Sequence, residues 1–344
     1  MSNNSFTLDI GEKNIKVADI SKNGKLYRAD ALAMGDSAVN IYNSDDKKAE
    51  TAVPIIKKLV DDSGITKKIV NIIIPNTFSY SRLVETPVLT EKELISAIRY
   101  QADQFIPVPI DKVNMDIEII SEVQNDKLLI LLVASQTTVL QRITGIIEAA
   151  GLMPDSIETE ASATISMLSD LELPESAIAV SQYILFANFG YSSSSLYLFD
   201  KKNNIPLEIY NFPLGFNLFI KDLMVNYSLS EPEASNLLQT YNFTKQEGQY
   251  KNINQIMATP LSEFSKEIEK FLISVKNRMN ISINSLIIFG EVTKINQFDS
   301  RISSFLGIPA TPIDLYPLFN KNNTVDFFKN DLGLFIPSIG GNLK

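Results

Sequence analysis

Short apolar runs broken by turn residues open the chain. Runs at 6–10 and 15–20 predict two strands flanking a tight turn at Gly11, and Asn23-Gly24 signals a hairpin into a third strand over 25–34. Val53, Ile56, Leu59 and Val60 fall at helical spacing, predicting a helix over 50–62 that Ser63-Gly64 ends. The apolar run 69–74 reads as a buried strand closed by Pro75. A strand at 82–87 follows, and then a helix with Leu94, Ile95, Ile98, Ala102 and Phe105 on one face, opened by the Thr90/Glu93 capping box. Strands at 114–121 and 127–134 and a helix at 136–150 complete a strand-helix-strand-strand-helix unit. A strand at 156–159, a helix at 160–170 and a hinge at 174–176 come next.

From residue 183 the opening pattern recurs. A strand at 184–188, a turn at Gly190, a strand at 196–199, a turn at 201–204 and a strand at 207–212 repeat the order seen near residue 6. Internal duplication of this kind is the most informative structural feature of the chain. Helices at 217–227 and 231–240, a polar stretch at 245–252, and a long helix at 260–279 follow. The Phe264, Ile268, Phe271, Leu272 and Val275 stripe of that helix reads as core. A strand at 285–289, a helix at 295–305 and a partly helical tail at 326–340 finish the pattern.

Composition narrows the chemistry. The 344 residues carry 31 Lys+Arg against 40 Asp+Glu, a net charge of −9, with no His and no Cys. Thiol nucleophiles, disulfides, His-based triads and Cys- or His-ligated metals are excluded. The acidic balance disfavours nucleic acid as a partner. The N-terminal stretch has no basic start followed by an apolar run, and no run of 18 apolar residues appears, so the expected location is cytoplasmic.

Two turns are candidate sites. Asp9, Gly11 and Lys16 surround the first hairpin tip, where backbone N–H groups can approach a phosphate and Asp9 can hold Mg²⁺ through water. Asn188, Gly190, Ser192 and Ser193 form the second. Each alone reads equally as an ordinary polar turn. Paired in duplicated halves, they suggest a nucleotide clamped between two related domains. A third feature is the corner Phe105-Ile106-Pro107-Val108-Pro109, an apolar helix end followed by two prolines. Such rigid corners border grooves for extended peptides, although packing alone also explains it. Arg82 and Arg99 lie nearby in sequence, as surface charges or as partners for a bound peptide.

The duplicated α/β pattern resembles the actin-like superfamily. Within it, the chain is similar to the PilM family of type IV pilus assembly proteins, relatives of the division protein FtsA. The most specific stretch is Val84-Glu85-Thr86-Pro87, Glu91-Lys92-Glu93-Leu94, Ala97-Ile98-Arg99 and Gln104-Phe105-Ile106-Pro107-Val108-Pro109-Ile110. Further matches are Leu131-Leu132-Val133-Ala134, Ile157-Glu158-Thr159-Glu160 and Pro213-Leu214-Gly215. The resemblance implies a duplicated ribonuclease-H-like core with two inserted subdomains. One core half spans 1–80 plus 150–176 and carries an insertion at 81–150; the other spans 177–215 plus 284–344 and carries a smaller insertion at 216–283. It also implies an assembly scaffold at the cytoplasmic face of the inner membrane, binding the N-terminal tail of a PilN-like membrane protein beside the first insertion. A pilus motor ATPase is a further implied partner; direct membrane insertion is not implied, since 337–344 lacks an FtsA-type membrane helix.

The family's usual ligand is ATP, and here the sequence departs from its pattern. The first loop keeps Asp9, Gly11 and Lys16, with Lys13 and Asn14 beside them, but Glu12 replaces a small hydroxyl residue. Asn188 replaces the Asp of the second loop, while Gly190, Ser192 and Ser193 remain. The glycine-rich adenine loop aligns with Phe289-Gly290-Glu291-Val292, losing two glycines around Gly290, and Ser235 and Leu238 stand where an acid and a Lys are expected. Glu160 matches a water-positioning acid, and reads equally as a favourable helix N-terminal charge. The expectation is a scaffold with weak ATP and Mg²⁺ binding and little hydrolysis. An active actin-like ATPase or kinase, an FtsA-like filament and a type II secretion homologue are the competing readings.

Overall fold

In the computed structural model, residues 4–37, 39–90, 93, 94, 96, 98, 106–123, 127–172, 182–243 and 250–343 are described. They form two compact units, Met1–Leu171 with Tyr316–Lys344, and Glu172–Leu315. The hinge expected at 174–176, most of the helix predicted before residue 106, and the candidate residues Arg99 and Phe105 lie outside the described residues.

The first unit is built on strands β1 (Ser5–Ile10), β2 (Asn14–Asn23), β3 (Leu26–Asp36), β4 (Ile69–Ile74) and β8 (Met153–Thr159), in the order β3-β2-β1-β4-β8. β1 pairs antiparallel with β2 and parallel with β4, and β4 pairs parallel with β8. Every residue of β1 is buried, as expected for a central strand covered on both faces. Helices α1 (Ala52–Asp62) and α2 (Thr137–Ala149) place Ile56, Val60, Ile143 and Ile147 against Phe6, Leu8, Ile10 and Ile72. Each such side chain contributes about 1.5–3 kcal/mol when fully buried. Helix α3 (Glu160–Asp170) follows β8, with Thr159 capping the Ser162 N–H.

Between β4 and β8 a separate antiparallel sheet is inserted, from β5 (Ser79–Pro87), β6 (Val113–Val123) and β7 (Lys127–Gln136), in the order β5-β7-β6. One face buries Leu128, Ile130 and Leu132 under Leu94 and Ile98. The predicted capping box is formed: the Thr90 N–H donates to Glu93 Oε2 at 2.9 Å, and the Glu93 N–H donates to Thr90 Oγ1 at 3.4 Å.

The second unit repeats the first sheet. Strands β9 (Tyr183–Phe189), β10 (Ser194–Asp200), β11 (Ile205–Phe212), β12 (Leu286–Gly290) and β13 (Ala310–Pro312) run β11-β10-β9-β12-β13, again with two antiparallel and two parallel pairings. The duplication read from the turns is therefore a duplication of sheet topology, and the fold is the actin-like α/β class. Helices α4 (Phe216–Tyr227), α5 (Glu231–Thr240), α6 (Ile253–Met279) and α7 (Phe298–Leu306) pack around a phenylalanine-rich core. Phe264, Ile268, Phe271 and Val275 are core, as expected. Helix α6 starts seven residues before the predicted start at 260, and Pro260 sits inside it. Buried Ile253 and Met257 extend the apolar stripe through the proline, so packing outweighs one missing backbone hydrogen bond.

The tail differs from the expected division. Residues 284–344 were assigned to the second half, but Tyr316–Lys344 packs in the first unit. The Asn320 N–H donates to Tyr27 O at 2.8 Å and Asn322 Nδ2 to Ala29 O at 2.9 Å, covering the open edge of β3. Helix α8 (Ile336–Gly340) lies against α3 so closely that a Cβ on Gly340 would sit 1.8 Å from Ala163 O. Asn342 then enters the sheet. Its Oδ1 accepts from the Ile20 N–H at 3.0 Å, and its Nδ2 donates to Ala18 O at 3.0 Å and to Thr7 Oγ1.

Replacing Asn342 by Ala removes the acceptor of the buried Ile20 N–H and one donor to Ala18 C=O. The expected cost is about 2 kcal/mol or more in the first unit. Hydrogen exchange of β1 and β2 amides followed by mass spectrometry measures it, and Gly340→Ala, which forces α8 off α3, is expected to accelerate exchange further. Unchanged protection in both variants contradicts the anchoring role.

Candidate functional site

The two hairpin tips are closed in the same way. At the first, the Gly11 N–H donates to Asn14 O at 3.0 Å; at the second, the Gly190 N–H donates to Ser193 O at 3.0 Å. A Cβ on Gly11 would lie 2.7 Å from Asn14 O, and one on Gly190 2.6 Å from Ser193 O. Glycine is required at each tip by close backbone approach.

In the first unit the structure brings Asp9, Gly11, Lys13, Asn14 and Lys16 together. Asp9 is buried at the end of β1, and Lys16, its register partner on β2, donates to its Oδ2 at 2.8 Å. Ser338 of α8 donates to the same oxygen at 3.3 Å, so the tail reaches the tip. Lys13 presents its carbonyl to the Ser37 N–H at 2.8 Å. The Glu12 side chain reaches away along the loop: Thr77 Oγ1 donates to its Oε1 at 2.8 Å and Asn40 Nδ2 to its Oε2 at 3.2 Å. Glu12 thus ties three loops together.

Sequence reasoning missed Tyr42. Its hydroxyl donates to Ile10 O at 2.6 Å, just before the tip, and its ring stacks on Phe78 with centroids 4.3 Å apart. Burial pushes this phenol well above the usual tyrosine range, and the negative charges of Asp9, Glu12 and Glu160 add to the effect. Asn76 was also missed. Its N–H donates to Glu160 Oε2 at 3.1 Å, and its Oδ1 accepts from the Ala161 N–H at 3.1 Å. Glu160 therefore clasps the turn after β4 to the start of α3. No local pattern flags either residue, because both act across long sequence separations.

In the second unit Asn188, Gly190, Ser192, Ser193 and Gly290 are neighbours. Asn188 is buried opposite Phe289. Gly290 has φ +86°, and a Cβ there would lie 2.4 Å from Asn188 Oδ1. The loop after Gly190 is tied onto α4, whose Phe216 and Asn217 N–H groups donate to Gly190 O and Tyr191 O at 2.9 Å each. Glu291 pairs with Lys294 at 2.5 Å, and both Glu291 and Val292 are buried. Behind them Phe189, Phe216, Phe219, Phe264 and Phe298 leave about 10 Å³ of free space, at most the room of one water.

The corner near the inserted sheet is only partly an accessible surface. Ile106 is buried against Val113 and Ala134, with Tyr80, Val108 and Met115 packed around them. Pro107 and Pro109 are exposed and Val108 is half-buried. Arg82 is exposed on β5 opposite Leu132 of β7. Among the described residues no group of acids has a metal-binding arrangement, and no helix is long and apolar enough to cross a membrane.

Comparison with known proteins adds three findings. A family model described as type IV pilus assembly protein PilM matches residues 7–335. A solved structure titled PilM-PilN type IV pilus biogenesis complex matches with a TM-score of 0.81 and 20% identity, covering 99% of this chain and 98% of that one. The ethanolamine utilization protein EutJ from Carboxydothermus hydrogenoformans matches with a TM-score of 0.52 and 12% identity, covering 98% and 88%. At these identities the structural matches speak for the fold.

Tyr42 generates a pH prediction. Its folded pKa is raised, so between the unfolded tyrosine value near 10 and the folded value only the unfolded chain loses the proton. The contribution is complete below about pH 10 and is lost as pH rises above it. Urea unfolding from pH 9 to 11 is expected to show a fall shallower in Tyr42→Phe than in the parent, by up to about 1.4 kcal/mol per pH unit. Parallel profiles contradict the buried-phenol description.

Proposed function

The chain belongs to the PilM family of type IV pilus assembly proteins, and from that membership we propose that it is a scaffold of the pilus assembly platform. It sits at the cytoplasmic face of the inner membrane and holds the N-terminal tail of a PilN-like membrane protein beside the inserted sheet. The observation that carries this reading is the match, over 99% of the chain, to a protein whose solved structure is a PilM-PilN complex. The corner at 106–109 supports it. Two prolines fix the backbone and offer no N–H groups, while buried Ile106 anchors the corner to the sheet. An extended peptide meeting such a border loses little affinity to reorganising it.

Nucleotide is proposed as a weak ligand. The two hairpin tips keep their glycines, but the space beside each is filled by its own loop carbonyl, Asn14 O or Ser193 O, which also takes the glycine N–H. The groups around them suit Mg²⁺ and a purine poorly. Asp9 already carries Lys16, Asn188 supplies no charge, and the stretch after Gly290 is committed to the core.

Calorimetric titration with a synthetic peptide of the PilN-like protein's N-terminal tail tests the scaffold reading. Saturable binding is expected, weakened at least tenfold by Val108→Asp with the fold intact by circular dichroism. A correctly folded protein that binds no peptide overturns it. Fluorescent ATP titrated in Mg²⁺ is expected to show no saturation in the micromolar range. Micromolar affinity, measurable turnover, or sedimentation as polymer on adding ATP would favour the ATPase or filament readings instead.

A further inference from the structure

The inserted sheet has an edge that the rest of the described chain leaves open. Its strand order is β5-β7-β6, so β6 pairs with β7 on one side only. β6 is 11 residues long, and among the described residues no backbone group outside the sheet bonds to it from residue 114 on. The Ile117 N–H donates to Asp116 Oδ1 at 2.8 Å, so the neighbouring carboxylate stands in for a strand partner. The outer strand of the first sheet is treated differently: Asn320 and Asn322 close the edge of β3. An open edge is a template for pairing with another chain.

Side chains alternate between the two faces of a strand. Met115, Ile117 and Ile119 share a face with Ile130 and Leu132 of β7, the face buried under Leu94 and Ile98. This apolar layer runs out over the edge, where Ile117 is half-buried and Ile119 is 57% exposed. Asn114, Asp116 and Glu118 lie on the opposite face, with Val133 and Leu131. Asp116 is exposed, and Ser162 Oγ donates to Glu118 Oε2 at 3.0 Å and holds it at the edge. The register shifts between Ile119 and Ser121, so the regular part of the edge is 113–119.

A second copy of this chain does not fit the edge. Two β6 strands paired antiparallel about a two-fold, with their faces matched, set Asp116 and Glu118 against themselves or each other, and like charges directly opposite are destabilising. A strand of the opposite charge fits both faces. We propose that the β6 edge binds an extended segment of a protein partner in which apolar residues alternate with Lys or Arg, added as a fourth strand of the inserted sheet. Main-chain hydrogen bonds supply affinity in this mode, and alternate side chains supply specificity. The apolar residues cover Ile117 and Ile119. A partner carbonyl takes over the Ile117 N–H and releases the Asp116 carboxylate to a partner cation. The assignment rests on the edge alone and needs neither the corner at 106–109 nor a nucleotide.

Calorimetric titration of the full chain at 150 mM salt with a short peptide alternating lysine and valine tests it. A second arm uses the same peptide fully N-methylated, which keeps the charge and loses the backbone donors. Saturable one-site binding of the first peptide is expected, with slowed hydrogen exchange of the β6 amides. Ile119→Lys is expected to weaken binding at least tenfold and Asp116→Asn severalfold. Glu50→Gln, which removes an exposed charge away from the edge, is expected to leave it unchanged. The proposal is overturned if the first peptide does not saturate. It is also overturned if the N-methylated form binds as tightly, or if Glu50→Gln and Asp116→Asn weaken binding equally, since both mark general attraction to a chain of charge −9. Sedimentation of the chain as a dimer that Ile119→Lys disperses overturns it as well, by assigning the edge to a second copy. Circular dichroism of each variant establishes that a loss is not a folding defect.

Discussion

Asn342 holds the first unit together from the far end of the chain. Its amide takes the place of a strand partner, accepting from Ile20 and donating to Ala18 and Thr7. Buried backbone groups must find partners, and here a side chain from the tail supplies them. That bond requires α8 to lie flat on α3, which requires Gly340, where any Cβ would meet Ala163 O. Once α8 is seated, Ser338 reaches Asp9 and joins Lys16 at its Oδ2. A loop near residue 10 thus depends on residues near 340, and the order of contacts runs from packing to chemistry.

The duplicated sheets show which features of a site are imposed by backbone geometry and which are free to drift. Gly11 and Gly190 both have an N–H closed onto the carbonyl three residues on, and both exclude a Cβ by the same margin. The residues before them have diverged: Asp9 faces a lysine across the strand pair, while Asn188 presses its Oδ1 toward Gly290. A tip whose turn needs glycine keeps glycine whatever it binds. The two tips differ in charge, with a carboxylate at Asp9 and an amide at Asn188.

This division also explains what the sequence made legible. The strand-turn-strand repeats, the Thr90/Glu93 cap and the α6 stripe are local patterns, set by neighbours within a few residues, and each appears in the structure where the pattern puts it. The start of α6 was misplaced because Pro260 is a local stop signal, overruled by Ile253 and Met257 in the core. The tail was assigned to the wrong unit because Gly340, Gly341 and Asn342 carry no periodicity; their meaning lies wholly in what they touch. Tyr42 and Asn76 were missed for the same reason, each bonding to an element more than 30 residues away. The sequence leaves open where the Glu12 side chain points; in the structure Thr77 and Asn40 claim its carboxylate.

Polar groups that are already matched to one another hold the shape of the first hairpin tip. Catalysis needs groups whose interactions strengthen in the transition state. In the first unit the polar groups are already matched to one another: Asp9 with Lys16 and Ser338, Glu12 with Thr77 and Asn40, Glu160 with Asn76. Each of these pairs fixes one segment against its neighbour, and breaking the buried Asp9–Lys16 pair to engage a ligand would cost about 3–5 kcal/mol. Such a network favours one conformation strongly over others. A rigid edge keeps, for whatever it binds, the affinity that a mobile edge would lose to ordering.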